Sequence, residues 1–210
     1  VMGGPSTEAE ISRQTGSAIL KALQSKGYNA EGMELNPPTF AEDIKKSGCA
    51  IVFNALHGKF GEDGVLQGTL DMLGIPYTGS GVLAAAVTMD KAASKRVFVA
   101  EGISTPRSHT YYRYEMKRDL AAEIEQGFSL PVVVKAASQG SSIGVYIVET
   151  KDALEDALKE AFSYNDEVLV EEFIRGKELT VAVWGNEEKK EAFPIIEITT
   201  TSGRYDYESK

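Results

Sequence analysis

Lys135-Ala-Ala-Ser-Gln-Gly-Ser-Ser-Ile-Gly-Val145 follows the apolar run Pro131-Val-Val-Val134 and leads into Tyr146-Ile-Val148, so a lysine and a Gly/Ser loop join two strand-like stretches. A loop of this composition turns several backbone N–H groups toward one anion, serine hydroxyls add donors, and the lysine supplies a point charge. The phosphate loop G-x-x-x-x-G-K-[ST] and the dinucleotide fingerprint G-x-G-x-x-G both place their loop before a helix. Here a strand follows instead. The expectation is a phosphate cradle at the tip of a β-hairpin spanning 131–148. Taken alone, the same residues also suit a flexible polar hairpin, because Gly and Ser dominate turns for steric reasons.

Beyond the hairpin, Lys151 to Phe162 places Ala153, Leu154, Ala157, Leu158 and Ala161 on one helical face. Strands are predicted at Val168–Phe173, Glu178–Trp184 and Ala192–Ile198, the last two joined by a charged turn at Gly185–Lys190, and a helix at Glu115–Gln126. Helices backing an antiparallel sheet make this half α+β. Before Pro106 the pattern alternates. Helices are predicted at Thr7–Lys26, with Thr7 and Glu10 as a capping box, around Phe40–Lys46, at Val65–Leu73 and at Asp90–Glu101, ended by Gly102. Between them, Ala30–Leu35, Ile51–Leu56 and Ile75–Thr78 read as strands. That alternation implies a parallel sheet wrapped by helices, so the whole is expected to be α/β followed by α+β.

The 210 residues carry a net charge of −9 and are 42% hydrophobic, enough for one large or two small domains. So acidic a chain lacks the basic field that broad nucleic-acid or anionic-membrane binding needs, and any phosphate site must be local. One cysteine, Cys49, precludes an internal disulfide and points to a reducing cytoplasm. No apolar run reaches the roughly 20 residues of a membrane span. The chain opens at Val1-Met2 as if partway through a strand and stops at Lys210 within a polar stretch. It reads as a piece of a longer protein, truncated at both ends.

Gly3-Gly-Pro-Ser-Thr-Glu8 joins strand to helix, at the sheet edge where open α/β folds bind ligands. Glu8 suits either a ligand contact or a helix dipole. Ala55-Leu-His57-Gly-Lys-Phe-Gly-Glu-Asp-Gly64 is a glycine-rich loop carrying both charge signs, able to approach a small zwitterion, with His57 placed to orient a carboxylate or to serve as an ordinary loop residue. Lys91 stands at a helix start, where the dipole disfavours a cation; the position suits either an anionic partner such as phosphate or an ordinary solvated lysine. Glu171 and Glu178 end and begin strands, where carboxylates accept from an adenine amino group and ribose hydroxyls or else guard a sheet edge.

In this order the segments resemble the D-alanine–D-alanine ligase family of ATP-grasp enzymes. The resemblance rests on Gly3–Glu8, Ala55–Gly58, Gly61–Gly64, Leu66–Gly68, Pro76–Gly81, Met89–Lys91, Gly140–Gly144, Glu178–Val181 and Tyr205–Lys210. It implies a preATP-grasp parallel-sheet domain over 1–104, holding the first D-alanine site. An ATP-grasp central domain with the serine loop and an antiparallel sheet would follow over 105–178, and the start of a C-terminal domain over 179–210. It further implies that Glu8 binds the first D-alanine's ammonium, with His57 near that substrate and Ser141 linking substrate to the mobile cover. Lys91, Lys135, Gly140, Ser141 and Ser142 would contact ATP phosphates, Glu171 adenine and Glu178 ribose, while Lys210 would reach the phosphates from a second loop. Magnesium is expected, with ligands beyond residue 210, as are a cytoplasmic location and a homodimer. Related ligases using D-lactate or D-serine share these features, and a noncatalytic nucleotide-binding fragment is the reading from another class.

Overall fold

The computed structural model describes residues 1–186 and 188–200. The element order is α1 (Ala9–Ser25), α2 (Phe40–Ser47), α3 (Val65–Leu73), α4 (Val82–Met89), α5 (Lys91–Ala100), β1 (Ser108–Tyr112), a 3-10 turn at Arg113–Lys117, α6 (Leu120–Gly127), β2 (Val132–Ala136), β3 (Val145–Val148), α7 (Lys151–Tyr164), β4 (Glu167–Glu172), β5 (Glu178–Thr180), β6 (Val183–Gly185), β7 (Lys190–Ala192) and β8 (Ile196–Ile198).

The predicted hairpin forms. β2 and β3 pair antiparallel, and with β4 and β1 they build a four-stranded sheet in the order β1-β4-β2-β3. Alternation sorts its two faces. Val132, Val134, Val148, Val168 and Val170 point to one face and, with Ile124 of α6 and Leu154, Leu158 and Phe162 of α7, make one buried apolar core. The other face carries Lys135 and Glu171, diagonal neighbours because Val133 stands opposite Glu171 and Lys135 opposite Leu169. Burial of one face therefore fixes which side chains line the cleft, since a one-residue slip would invert both.

The first half differs from the expected parallel sheet. Parallel alignment occurs as isolated bridges, Met2 with Glu34 and Val52 with Tyr77, so Ala30–Leu35, Ile51–Leu56 and Ile75–Thr78 are extended segments and not laddered strands. After Met2 the chain turns through Gly3 and Gly4, at φ +72° and +79°, which carries it out of strand geometry. Pro76 accepts from the Val52 N–H but has no N–H to return. A second apolar cluster still forms there, around Leu35, Phe40, Ile44, Val52, Leu56, Leu66 and Leu70.

Other boundaries move for local reasons. α1 begins at Ala9 with Glu8 at its N-cap and no side-chain cap, in place of the Thr7 capping box, because Ser6 Oγ takes the Glu8 N–H and donates to the His57 carbonyl. The helix predicted at Glu115–Gln126 starts at Leu120, since Asp119 caps the Ala122 N–H and Arg118 is extended. The predicted strand Glu178–Trp184 is split into β5 and β6, and Ala192–Ile198 into the end of β7 and the whole of β8, where Pro194 interrupts the donors of that edge. α4, apolar nearly all round and so without a period, and β1 had no clear pattern to predict them. No helix among the described residues is long and apolar enough to cross a membrane.

Phe162 is 1% exposed within the central core. Phe162→Ala should lower unfolding free energy by about 3–5 kcal/mol, by transfer and cavity terms together. Chemical denaturation measures this; a loss below about 1 kcal/mol would mean that α7 does not pack on the sheet as described.

Candidate active site

Three loops, Gly3–Glu8, Ala55–Gly64 and the serine loop between β2 and β3, meet around Glu8. The first, Gly3–Glu8, is anchored by fully buried Ser12, whose Oγ accepts from the Gly3 N–H at 2.8 Å and donates to the Ala55 carbonyl at 2.8 Å. One side chain thereby ties this loop to the second, Ala55–Gly64. Within that second loop, His57 Nε2 lies 3.2 Å from Thr15 Oγ1 of α1, and His57 Nδ1 lies 3.8 Å from Glu62 Oε1. Glu62 also accepts from the Gly58 N–H at 2.7 Å.

Glu8 is where the loops meet. A Cβ added to Gly58 would stand 2.7 Å from Glu8 Oε2, and one added to Gly140 would stand 2.8 Å from the same oxygen. The carboxylate is thus flanked by the histidine loop and by the serine loop, and glycine at both positions admits it. Ser141 and Ser142, next in the serine loop, hold left-handed backbone at φ +52° and +65°. Non-glycine residues adopt this region at a cost, and such strain concentrates at ligand-clamping segments. The sequence places Glu8, His57, Gly140, Ser141 and Ser142 in separate segments; the fold brings their loops together.

The cationic side of the cleft starts at the N-terminus of α5. Asp90 caps it through the Ala93 N–H at 2.8 Å. The Lys91 backbone N–H donates to the Ala137 carbonyl at 3.0 Å, while its ammonium donates to the carbonyls of Ala136 at 3.2 Å and Gln139 at 2.5 Å. Lys91 therefore grips the base of the serine loop. Burial, then the nearby Lys135 charge, hold its ammonium below the usual lysine range, with Asp90 and Glu171 opposing. Lys135 pairs with Glu171 Oε2 at 2.6 Å, and Lys95, one helical turn after Lys91, pairs with Glu171 Oε1 at 2.9 Å. Sequence reasoning did not single out Lys95; its i+4 spacing from Lys91 was the available signal.

Glu171 is 5% exposed and engaged by two lysines, whereas Glu178 is exposed at the start of β5. Lys210 lies outside the described residues. Among the described residues, no group of three or more His, Cys, Asp or Glu could hold a metal ion.

Comparison with known proteins fits this geometry. Residues 29–80 match the family model for the D-ala D-ala ligase N-terminus, and residues 97–210 that for the C-terminus. The whole chain is 48% identical to a D-alanine–D-alanine ligase of Desulforudis audaxviator and 45% to one of Moorella thermoacetica, covering 68% of each. Among solved structures, the Bacillus anthracis D-alanine–D-alanine ligase superposes with a TM-score of 0.83 at 37% identity, over 100% of this chain and 66% of that one. The same enzyme complexed with ATP gives 0.80 at 36%, over 96% and 65%. The chain thus spans about two thirds of its relatives' length. An antiparallel sheet with a serine hairpin and a lysine pair on Glu171, matched to these structures, defines the class as ATP-grasp ligase. Within that class, the chain belongs to the D-alanine–D-alanine ligase family.

An anion bound at Lys91 restores the proton that burial disfavours, so affinity and protonation are linked. Tripolyphosphate affinity should fall as pH rises through the depressed Lys91 value, well before the ~10.4 of an ordinary lysine. In Lys91→Met that alkaline limb should vanish. Stability has the opposite sign: between the depressed and the ordinary value the unfolded chain holds more protons, so folding strengthens as pH rises. Titration calorimetry at several pH values measures the first effect; flat affinity to pH ~10 would remove Lys91 from the anion site.

Proposed function

We propose that this chain carries the first-substrate site and much of the nucleotide surface of an ATP-dependent enzyme that joins two D-alanines for peptidoglycan precursor synthesis. In this reading the γ-phosphoryl group of ATP passes to the carboxylate of one D-alanine, giving ADP and a D-alanyl phosphate. The amine of a second D-alanine then attacks the acyl carbon, the C–O bond to phosphate breaks, and the dipeptide, inorganic phosphate and a proton leave. Activation is needed because a carboxylate is a poor electrophile, and the charge on the transferred group must be met by preorganised donors and cations.

The observation that carries this reading is the position of Glu8, flanked by Gly58 and by Gly140 of the serine loop. A carboxylate has no use in binding phosphate and would repel it; against an amino acid's ammonium it is the fitting partner. We therefore assign Glu8 to the ammonium of the first D-alanine, with His57 beside that substrate and Ser141 joining it to the serine loop. Lys91, Lys135 and the Gly140–Ser142 backbone face the phosphates, where several N–H groups and two cations replace water. Glu171 has lone pairs beyond those its two lysines use, so it serves as acceptor for the adenine amino group, and Glu178 serves the ribose.

The same reading divides the chain into a preATP-grasp domain over 1–104, an ATP-grasp central domain over 105–178 and the start of a C-terminal domain over 179–210. The resemblance extends it to Lys210 as a further phosphate contact, to magnesium bound outside the described residues, and to a cytoplasmic homodimer.

Phosphate release from Mg-ATP by the full protein should depend on D-alanine and not on L-alanine. Glu8→Gln should raise the KM for D-alanine by at least about tenfold while nucleotide affinity stays within about twofold, because it removes one charge–charge contact to the amino acid. Equal losses for both ligands would take Glu8 out of the substrate site. Release indifferent to the alanine enantiomer would overturn the assignment of the reaction.

A further inference from the structure

Of Lys91, Lys95 and Lys135, Lys95 is the most deeply buried. It is 8% exposed, and its three N–H donors each find an acceptor: Thr105 Oγ1 at 2.8 Å, the Pro106 carbonyl at 2.6 Å and Glu171 Oε1 at 2.9 Å. Thr105 and Pro106 lie in the segment that leads from α5 into β1, and Glu171 is near the end of β4. One ammonium thus joins α5, the crossing segment and the central sheet. Being buried where Lys91 and Lys135 are only half-buried, it is the least accessible of the three to a phosphate.

The other oxygen of the same carboxylate holds Lys135 at 2.6 Å. Lys135 is more open to the cleft, with its side chain 27% exposed against 10% for Lys95 and 7% for Glu171. Glu171 is a buried anion, and a buried anion needs a counter-ion. With Lys95 fixed on one oxygen, Lys135 is not the sole direct partner of that charge and can lend its ammonium to a phosphate. Lys91 feels Glu171 only at longer range, and its own donors go to the serine-loop carbonyls.

We infer that Lys95 is a positioning residue of the nucleotide cleft: by neutralising and orienting Glu171, it releases Lys135 to serve the phosphates. The inference rests on the nucleotide reading of the cleft given above. In the absence of the Lys95 charge, Lys135 becomes the direct counter-ion of Glu171, and drawing it toward phosphate leaves a buried carboxylate unpaired. The coupling between Lys95 and phosphate then runs wholly through Glu171, which makes it measurable as a non-additive effect.

The test is a double-mutant cycle on the full protein, with Mg-ATP and tripolyphosphate affinities measured by titration calorimetry. Lys95→Met should weaken both ligands on the order of tenfold, as expected when one partner of a buried charge pair is removed. In a Glu171→Gln background, the same Lys95→Met change should alter tripolyphosphate affinity by less than about twofold, because the charge that Lys95 neutralises is already gone. If Lys95→Met alone does not fold, Lys95→Gln, which keeps a donor toward Glu171 without the charge, takes its place at both corners of the cycle. Wild-type affinity in Lys95→Met, or the same loss in both backgrounds, would overturn the inference and leave the nucleotide reading standing. Failure of the wild-type protein to bind Mg-ATP would overturn both.

Discussion

The ladder between β2 and β4 is the constraint on which the rest depends. Its register sets Val132, Val134, Val168 and Val170 on the face covered by α6 and α7, and leaves Lys135 and Glu171 on the other. The apolar side supplies the driving force, of the order of 25 cal/mol per Å² buried, and the polar side has no vote in the register. A cleft face with a lysine beside a carboxylate is thus held by hydrophobic burial on the far side of the same strands. That arrangement lets a costly pair of charges persist without having to stabilise the fold itself.

Around that pair the lysines differ in burial and in what holds them. Lys95 is fully committed to Thr105, Pro106 and Glu171, and Lys91 donates to carbonyls at the base of the serine loop. Lys135 is the most exposed of the two lysines on Glu171. A carbonyl dipole is a weaker partner for an ammonium than a phosphate oxygen is, and a neutralised carboxylate competes less than an isolated one. In the proposed reading, Lys91 and Lys135 are therefore held in place by partners that a nucleotide phosphate can displace. Ordered cations lose little freedom on binding, which is the physical content of preorganisation here.

Legibility in the sequence followed the strength of each local signal. The hairpin, α3, α5 and α7 were readable because period and caps agree: Asp90 and Gly102 bracket α5, and Gly74 ends α3 in left-handed geometry. The first-half strands were readable as extended segments but not as single bridges, because whether Met2 or Val52 extends a ladder depends on neighbours distant in sequence. Glu8, His57 and the serine loop were each legible as candidates, yet their meeting was not; a carboxylate near Gly140 is a contact across more than a hundred residues. Ser12 and Lys95 carried no motif of their own. Their importance is purely spatial, as buried polar groups whose every partner comes from another segment.

The position of Glu8 places it directly against the serine loop. Its carboxylate approaches Gly140, and a Cβ there would stand 2.8 Å from Glu8 Oε2. Two residues later the loop is in left-handed backbone at Ser142, and after Gly144, also left-handed, it enters β3. A loop strained over Ser141 and Ser142 has a conformation that its own residues do not favour, so contacts at its tip decide where it lies. At its base Lys91 holds Ala136 and Gln139. An amino acid's ammonium at Glu8 and a phosphate at the loop's N–H groups would each add contacts to the same short segment. Order imposed by the first lowers the entropy still to be lost by the second, so the two ligands are expected to favour one another through the loop.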